Sequence, residues 1–354
     1  MSKHQSCRPA TVLGALAILL CGTAIQPSAA ADSITAVSWG GAYQEAQTKA
    51  YFEPFSKDTG IVIHQDTWGG EIAKVRAMVE TGQVTWDVIA ADYGHAIVGC
   101  AEGFLEPIDM SKLGNLDDFL PGTLHKCGVS SDIFALMFAY DPEKFPNGGP
   151  QTLADVFDLQ RFPGKRGMRK QPKYVLEQAL MADGVAPADV YDILDTPEGV
   201  ERAFAKLDTI KDDIVWWSSN AQAAQLLVDG EVAIAEIYNG RFFDAVKQSG
   251  KKLEPIWQGQ VYSTDTWVIP KGANVELAHK FLAHLVKPEV LADLSNRIPY
   301  APPRTSAMQH VSSEMAPFLP TAPENFKDAL GSNEEWWADN DEVLRERFER
   351  WISQ

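Results

Sequence analysis

Three short β-rich runs separated by helical stretches follow residue 31, and that alternation confines the chain to few folds. "SITAVSWG" (33–40) alternates and is β-branched, "GIVIHQDTW" (60–68) does so again, and "TWDVIAADY" (85–93) is a buried run of strand length. Between the first two lies "AYQEAQTKAYFEPFSKDTG", whose apolar spacing is helical and whose Gly60 suits a C-terminal stop. Between the second and third, "EIAKVRAMVETG" again reads as helix then glycine. Strand, helix, strand in this order predicts a mostly parallel sheet wrapped by helices. At 354 residues the chain exceeds what one hydrophobic core usually supports, so two lobes are expected.

After Pro121 the pattern changes to "DIFALMFAYDPEKF", an apolar strand and a turn that read as a passage from one lobe to the other. "PKYVLEQALMADGV", "PEGVERAFAKLDTIK", "SNAQAAQLLVDG" and "EVAIAEIYN" then supply helices and a strand, and "TDTWVIPKGA" (264–273) a strand with a turn. "NVELAHKFLAHLVKPEVLADLSN" supplies helices expected to pack back on the first lobe. The expected organisation is a leader over 1–31, a first lobe over 32–137, a second over 138–264, and a return to the first over 265–354. Two crossings imply a hinge of two strands.

The leader reading rests on Lys3 and Arg8, the apolar run Ala10–Ile25, and Ala29 and Ala31 in the small-x-small arrangement that precedes cleavage, here before Asp32. The run is short for a membrane span and lacks a basic stop-transfer flank, so export is expected and membrane insertion is not. The formal charge is −17, and loss of Lys3 and Arg8 with the leader takes it to −19. So acidic a chain is not expected to seek nucleic acid, which needs clustered Lys and Arg. Cys7 and Cys21 leave with the leader. Cys100 and Cys127 remain, and a disulfide is the leading reading over a zinc site shared with His95 and His125.

Ligands of open α/β sheets collect outside the carboxyl ends of the strands. Those ends carry Trp39, Gly40, Gly41 and Tyr43, then Trp68 and Gly69, then Asp92 and Tyr93, and in the second lobe Tyr238, Asn239 and Arg241. Trp39 before two glycines can line a methylene chain or face an ammonium while the backbone comes close. Trp216 and Trp217 precede a helix that Ser218 or Ser219 can cap. Asp265, at the expected hinge, is open to two readings, an amine partner or a turn residue capping its own backbone. Trp336 and Trp337 read as packed aromatics at a helix start. No G-x-S-x-G, H-E-x-x-H, P-loop or G-x-G-x-x-G is present, so neither enzyme nor cofactor nor metal is expected. The competing class is a secreted enzyme using Asp and His in the same cleft.

The runs "SWGGAYQEAQTKAYFEPFSKDTGI", "TWDVIAADY", "AEGFLEPIDMSKL", "GEVAIAEIYNGRFFDAVKQSG", "DTWVIP" and "IPYAPPR" resemble, in order and spacing, the periplasmic spermidine/putrescine-binding proteins, the polyamine branch of ABC-transporter solute-binding components. The resemblance implies a two-lobed α/β periplasmic binding protein fold of type II. It implies closure about a two-strand hinge on a small amine and delivery to an inner-membrane permease driven by a separate ATPase; a monomer is expected. Trp39, Tyr43, Asp92, Tyr93, Tyr238, Asp265 and Tyr300 match the family's ligand positions.

Departures from that pattern matter. Gln171 and Tyr174 stand where polyamine binders carry acidic residues, Ser263 where a Trp is expected, and Trp337 where a Gln is. Arg241 adds a carboxylate donor near the cleft, with Arg169 and Lys170 in the same basic region as Gln171. A dication needs anionic partners at both ends. The primary expectation is a polyamine, putrescine or spermidine. The alternative is an ω-amino acid such as γ-aminobutyrate, with Asp265 on the amine and Arg241 on the carboxylate.

Overall fold

The computed structural model describes residues 31–354; the expected leader, but for its last residue, lies outside them. β1 (Ser33–Ser38) pairs in parallel with β2 (Val62–Thr67) and β3 (Val88–Asp92). The connecting helical segments end where the sequence signals a stop, at Gly60 (φ 74°) and Gly82 (φ 67°). β2 is mostly exposed and forms the sheet edge, whereas four of the five β3 residues are buried.

A short β4 (Leu124–His125) leads into β5 (Gly128–Tyr140), thirteen residues buried throughout. β6 (Arg166–Arg169) runs parallel to β7 (Ile214–Trp217) and β8 (Ile234–Tyr238). β9 (Glu254–Val268) is fifteen residues long and antiparallel to β5, and β10 (Leu330–Gly331) adds to its side. The full order is β2-β1-β3-β9-β5-β8-β6-β7.

This order gives the two-lobed type II arrangement. Along β9, β3 pairs with the last residues alone, Asp265–Val268, and along β5, β8 pairs with the last alone, Leu136–Tyr140. Between those limits β5 and β9 are the strands common to both parallel sets, with register shifts at Ser130/Asp132 and Leu136/Phe138. The sequence predicts a strand from 264, and in the structure that strand begins ten residues earlier, at Glu254. Pro255 and Gly259, the latter at φ 75°, interrupt the pattern that would have revealed them.

The helices Val275–Leu285 and Pro288–Ser295 return to the first lobe, where Phe281 packs on Phe52, Phe55 and Trp267 at centroid distances of 5.9, 5.5 and 5.1 Å. Burying each such side chain is worth roughly 1.5–3 kcal/mol. The last helix, Glu334–Ile352, does not rest wholly on that lobe. Its Phe348 and Trp351 pack on Phe204 and Trp216 of the second. Among the described residues no helix is long and apolar enough to cross a membrane.

Candidate functional site

The carboxyl ends of the two parallel strand sets face one cavity of about 440 Å³. The first lobe supplies Trp39 after β1, Trp68 after β2 and Asp92 at the end of β3. The second supplies Arg169, Trp217 and Tyr238 at the ends of β6, β7 and β8. Parallel strands terminate in step, so side chains distant in sequence converge there.

The acidic side is a single rung of the sheet. Asp92 lies directly opposite Asp265, and Asp265 directly opposite Asp132, so three carboxyl groups share one face across β3, β9 and β5. Asp92 and Asp265 line the cavity. Asp132 lies behind them, accepting hydrogen bonds from the Tyr43 hydroxyl at 2.7 Å and Ser131 Oγ at 2.8 Å. Burial, then the neighbouring Asp132 and Asp92, raises the Asp265 pKa well above the usual carboxylate range, against the hydrogen bond from Trp39 Nε1. Burial likewise pushes Asp132 up to about 7. An ammonium set against this rung would favour the ionised carboxylates that burial and mutual repulsion disfavour.

The same lining carries two cations. Arg169 and Arg241 line the cavity, and among the described residues neither has a carboxylate within ion-pair distance. Arg241 Nη2 donates to the Gly40 carbonyl at 3.3 Å across the cleft. That approach is possible because Gly41 has no side chain: a Cβ there would stand 2.8 Å from Arg241 Nη1, and φ is +58°. Ser218, Asn220 and Ala221 line the same cavity, at the start of the helix Asn220–Val228 that Ser219 caps through Gln222 N at 3.4 Å. Guanidinium groups and a helix N-terminus in one lining are donors of the kind that suit a carboxylate.

Aromatic rings make up much of the remaining lining. Trp39 stacks on Trp68 at 5.2 Å with the planes 29° apart, and Trp68 is fixed by its indole donating to the Ala90 carbonyl at 3.0 Å. Tyr300 lies 5.4 Å from Tyr43, and Phe134 lies 5.4 Å from Tyr238. Such walls accept a methylene chain without demanding hydrogen bonds from it.

Of the positions named from sequence, the structure brings Trp39, Tyr43, Asp92, Tyr238, Arg241, Asp265 and Tyr300 into this lining. Tyr93 is not among them: its hydroxyl donates to the Leu124 carbonyl at 3.1 Å and its ring lines a second cavity. The turn reading of Asp265 is corrected, because the residue lies within β9, buried, rather than before a strand. Trp337 is buried with its indole donating to Glu177, and Trp336 donates to Asp195, as packed aromatics would. Cys100 and Cys127 are joined, their Cα atoms 5.7 Å apart. Phe134 and Asp132 escaped the sequence reading because "SSDIFALMF" reads as core strand. The signal available was a carboxylate inside an otherwise apolar run. Trp68 and Trp217 carried the same strand-end signature as Trp39, and Arg169 ends a strand of four residues, too short for periodicity to show.

A family profile described as bacterial extracellular solute-binding protein matches residues 50–321. The chain is 40% identical over 353 residues, 99% of each chain, to the gamma-aminobutyric acid-binding protein of Pseudomonas aeruginosa. It is 24% identical over 273 residues, 75% of this chain and 76% of the other, to the spermidine/putrescine-binding periplasmic protein of Escherichia coli. Among solved structures, an ABC transporter substrate-binding protein from Bradyrhizobium japonicum superposes with a TM-score of 0.84 at 36% identity, covering 90% of this chain and 99% of that one. The GABA receptor Atu4243 does so with a TM-score of 0.81 at 33% identity, covering 91% and 98%. The resemblance to polyamine binders therefore holds at the level of the wider family, and a relative of another ligand class is nearer in sequence than they are. The chain belongs to the bacterial extracellular solute-binding proteins and is the substrate-binding component of an ABC transporter, not an enzyme.

Proposed function

We propose that the cavity holds a small solute with an ammonium at one end and a carboxylate at the other, an ω-amino acid of the γ-aminobutyrate type. The observation that carries this reading is the mixed charge of the lining: Asp92 and Asp265 together with Arg169 and Arg241, among aromatic rings. A polyamine fits the acidic side equally well but would bring an ammonium toward two guanidinium groups that have no carboxylate partner, a costly placement in a partly desolvated site. The 40% identity to a gamma-aminobutyric acid-binding protein supports the same choice, as does the likeness to a GABA receptor.

Binding draws on both lobes. The acidic rung and Trp39 belong to the first lobe and the hinge, the guanidinium groups to the second, so only a closed arrangement gives the solute both sets of contacts and the solute shifts the population toward closure. The hinge would turn on β5 and β9, the strands common to both lobes. The loaded protein then docks on a permease in the periplasm, which the leader over 1–31 would let it reach.

Isothermal titration of the mature chain with γ-aminobutyrate and with putrescine tests the ligand. Saturable heat from γ-aminobutyrate is expected. Binding of putrescine alone would return the site to the polyamine class.

A further inference from the structure

Two cavities lie side by side at the hinge, and neighbouring residues divide between them. Asp92 lines the first and Tyr93 the second; Phe134 lines the first and Ile133 the second. Asp265 lines the first and Ser263 the second, although they sit two apart on one face of β9. The second cavity, of about 690 Å³, is the larger.

Glu334, the first residue of the last helix, lines the second cavity. Its Oε2 accepts from Lys173 Nζ at 2.6 Å and its Oε1 from Ser263 Oγ at 2.8 Å. The Lys173 and Glu334 side chains are only 14% and 7% exposed, so the pair is a buried tie rather than a surface one. Beside it, Tyr174 is buried at φ 74°, the one non-glycine residue at positive φ among those described. The Arg169 guanidinium, which lines the first cavity, lies 5.4 Å from the Tyr174 ring centroid, and Lys173 Nζ lies 5.1 Å from it. A bulky residue persists in that backbone region only where its surroundings impose it, and such residues collect at functional sites.

We propose that Tyr174 and the Lys173–Glu334 pair form the wall that ends the ligand cleft and sets the greatest length of solute it accepts. The inference rests on the ω-amino acid reading. An ammonium held at Asp92 and Asp265 reaches the row where lining passes from the first cavity to the second. One further stretch of methylenes would carry it past Asp265 toward Ser263, where Glu334, already satisfied by Lys173 and Ser263, offers it nothing. With the wall gone, the second cavity gives a longer solute room, and Tyr262 and Glu335 supply an aromatic face and a carboxylate there.

The test is calorimetric titration of the full mature chain with γ-aminobutyrate and its longer homologues up to 6-aminohexanoate. It is run on the parent, on Tyr174→Gly, and on the double variant Lys173→Met with Glu334→Gln. Glycine accepts φ 74° without strain, so the first variant opens the wall while relieving the backbone. The double variant removes both charges together and strands neither. The parent is expected to prefer γ-aminobutyrate over 6-aminohexanoate, and each variant to narrow that preference at least about tenfold. An unchanged preference in both variants, each melting cooperatively like the parent, overturns the wall. A parent that binds putrescine and no ω-amino acid overturns the reading beneath it, and the wall is then judged by the same ratio between putrescine and its longer diamine homologues. A parent that binds neither series overturns both.

Discussion

The indole Nε1 of Trp39 donates to Asp265 Oδ1 at 2.8 Å, tying the tip of β1 to the hinge strand β9 across 226 residues of sequence. Trp39 therefore has two roles, an aromatic wall and a donor that fixes the carboxylate's direction. Phenylalanine keeps the stack on Trp68 and loses the donor; alanine loses both. Trp39→Phe is expected to weaken ligand binding about tenfold, the value of one hydrogen bond to a charged group, and Trp39→Ala about a hundredfold. Titration calorimetry reads both, and an unchanged dissociation constant in the alanine variant would remove Trp39 from the site.

Arg241 touches the Gly40 carbonyl and forms no ion pair with a described residue, so its removal costs the fold little. Arg241→Gln should leave the melting temperature near that of the parent while weakening γ-aminobutyrate roughly ten- to a hundredfold, the cost of a lost charge-assisted pair. Arg241→Lys should restore only part, because an ammonium cannot reproduce the planar fork. Putrescine titrated alongside decides the cause. A loss confined to the amino acid identifies a carboxylate contact, and an equal loss for both identifies a latch between the lobes.

Buried carboxyl groups set the pH dependence. Burial pushes Asp132, Glu177 and Glu236 each up to about 7. Each keeps its proton in the folded chain at pH values where the unfolded chain has already released it, so the folded state binds more protons between about pH 4 and pH 7. Their contribution to stability is fully present below that window and is lost as pH rises through it. The melting temperature without ligand should therefore fall between about pH 5 and pH 7.5, and Asp132→Asn should flatten part of the slope. Ammonium binding beside Asp265 favours the ionised form and should release protons. Calorimetry near pH 6 in buffers of differing ionisation enthalpy measures that release, and heats independent of buffer would argue against an ammonium at this end.

Much of this was legible in the chain because strand ends advertise themselves. Trp39, Asp92 and Tyr238 each follow or close an alternating or apolar run, and position outside a parallel strand is enough to nominate them. Asp265 needed the pairing of β3, β9 and β5 to acquire meaning. Sequence shows one aspartate in "TDTW", and only the register reveals three carboxyl groups on a single rung. Tyr93 failed for the complementary reason, since one step beyond Asp92 the chain turns into a helix and the side chain leaves for another cavity. Arg169 and Tyr174 could not be weighed at all from spacing, because a four-residue strand and one residue at positive φ leave no periodic trace.

The pairing of Cys100 with Cys127 bears on the first lobe more than on the cleft. Cys100 lies in the last turn of the helix Tyr93–Ala101 and Cys127 immediately precedes β5, so the bond clamps that helix to the strand that becomes the hinge. The two are 27 positions apart. Closing a loop of that length removes unfolded-state freedom worth roughly 3–4 kcal/mol in the chain-entropy account. Reduction, or Cys100→Ser with Cys127→Ser, should lower the denaturant midpoint by a corresponding amount, and the double variant should no longer respond to reductant. Because Cys127 packs in the cluster that holds Trp68, γ-aminobutyrate affinity should fall modestly as the indole beneath Trp39 loosens. An identical midpoint with and without reductant would show that the two thiols are not joined in the folded chain.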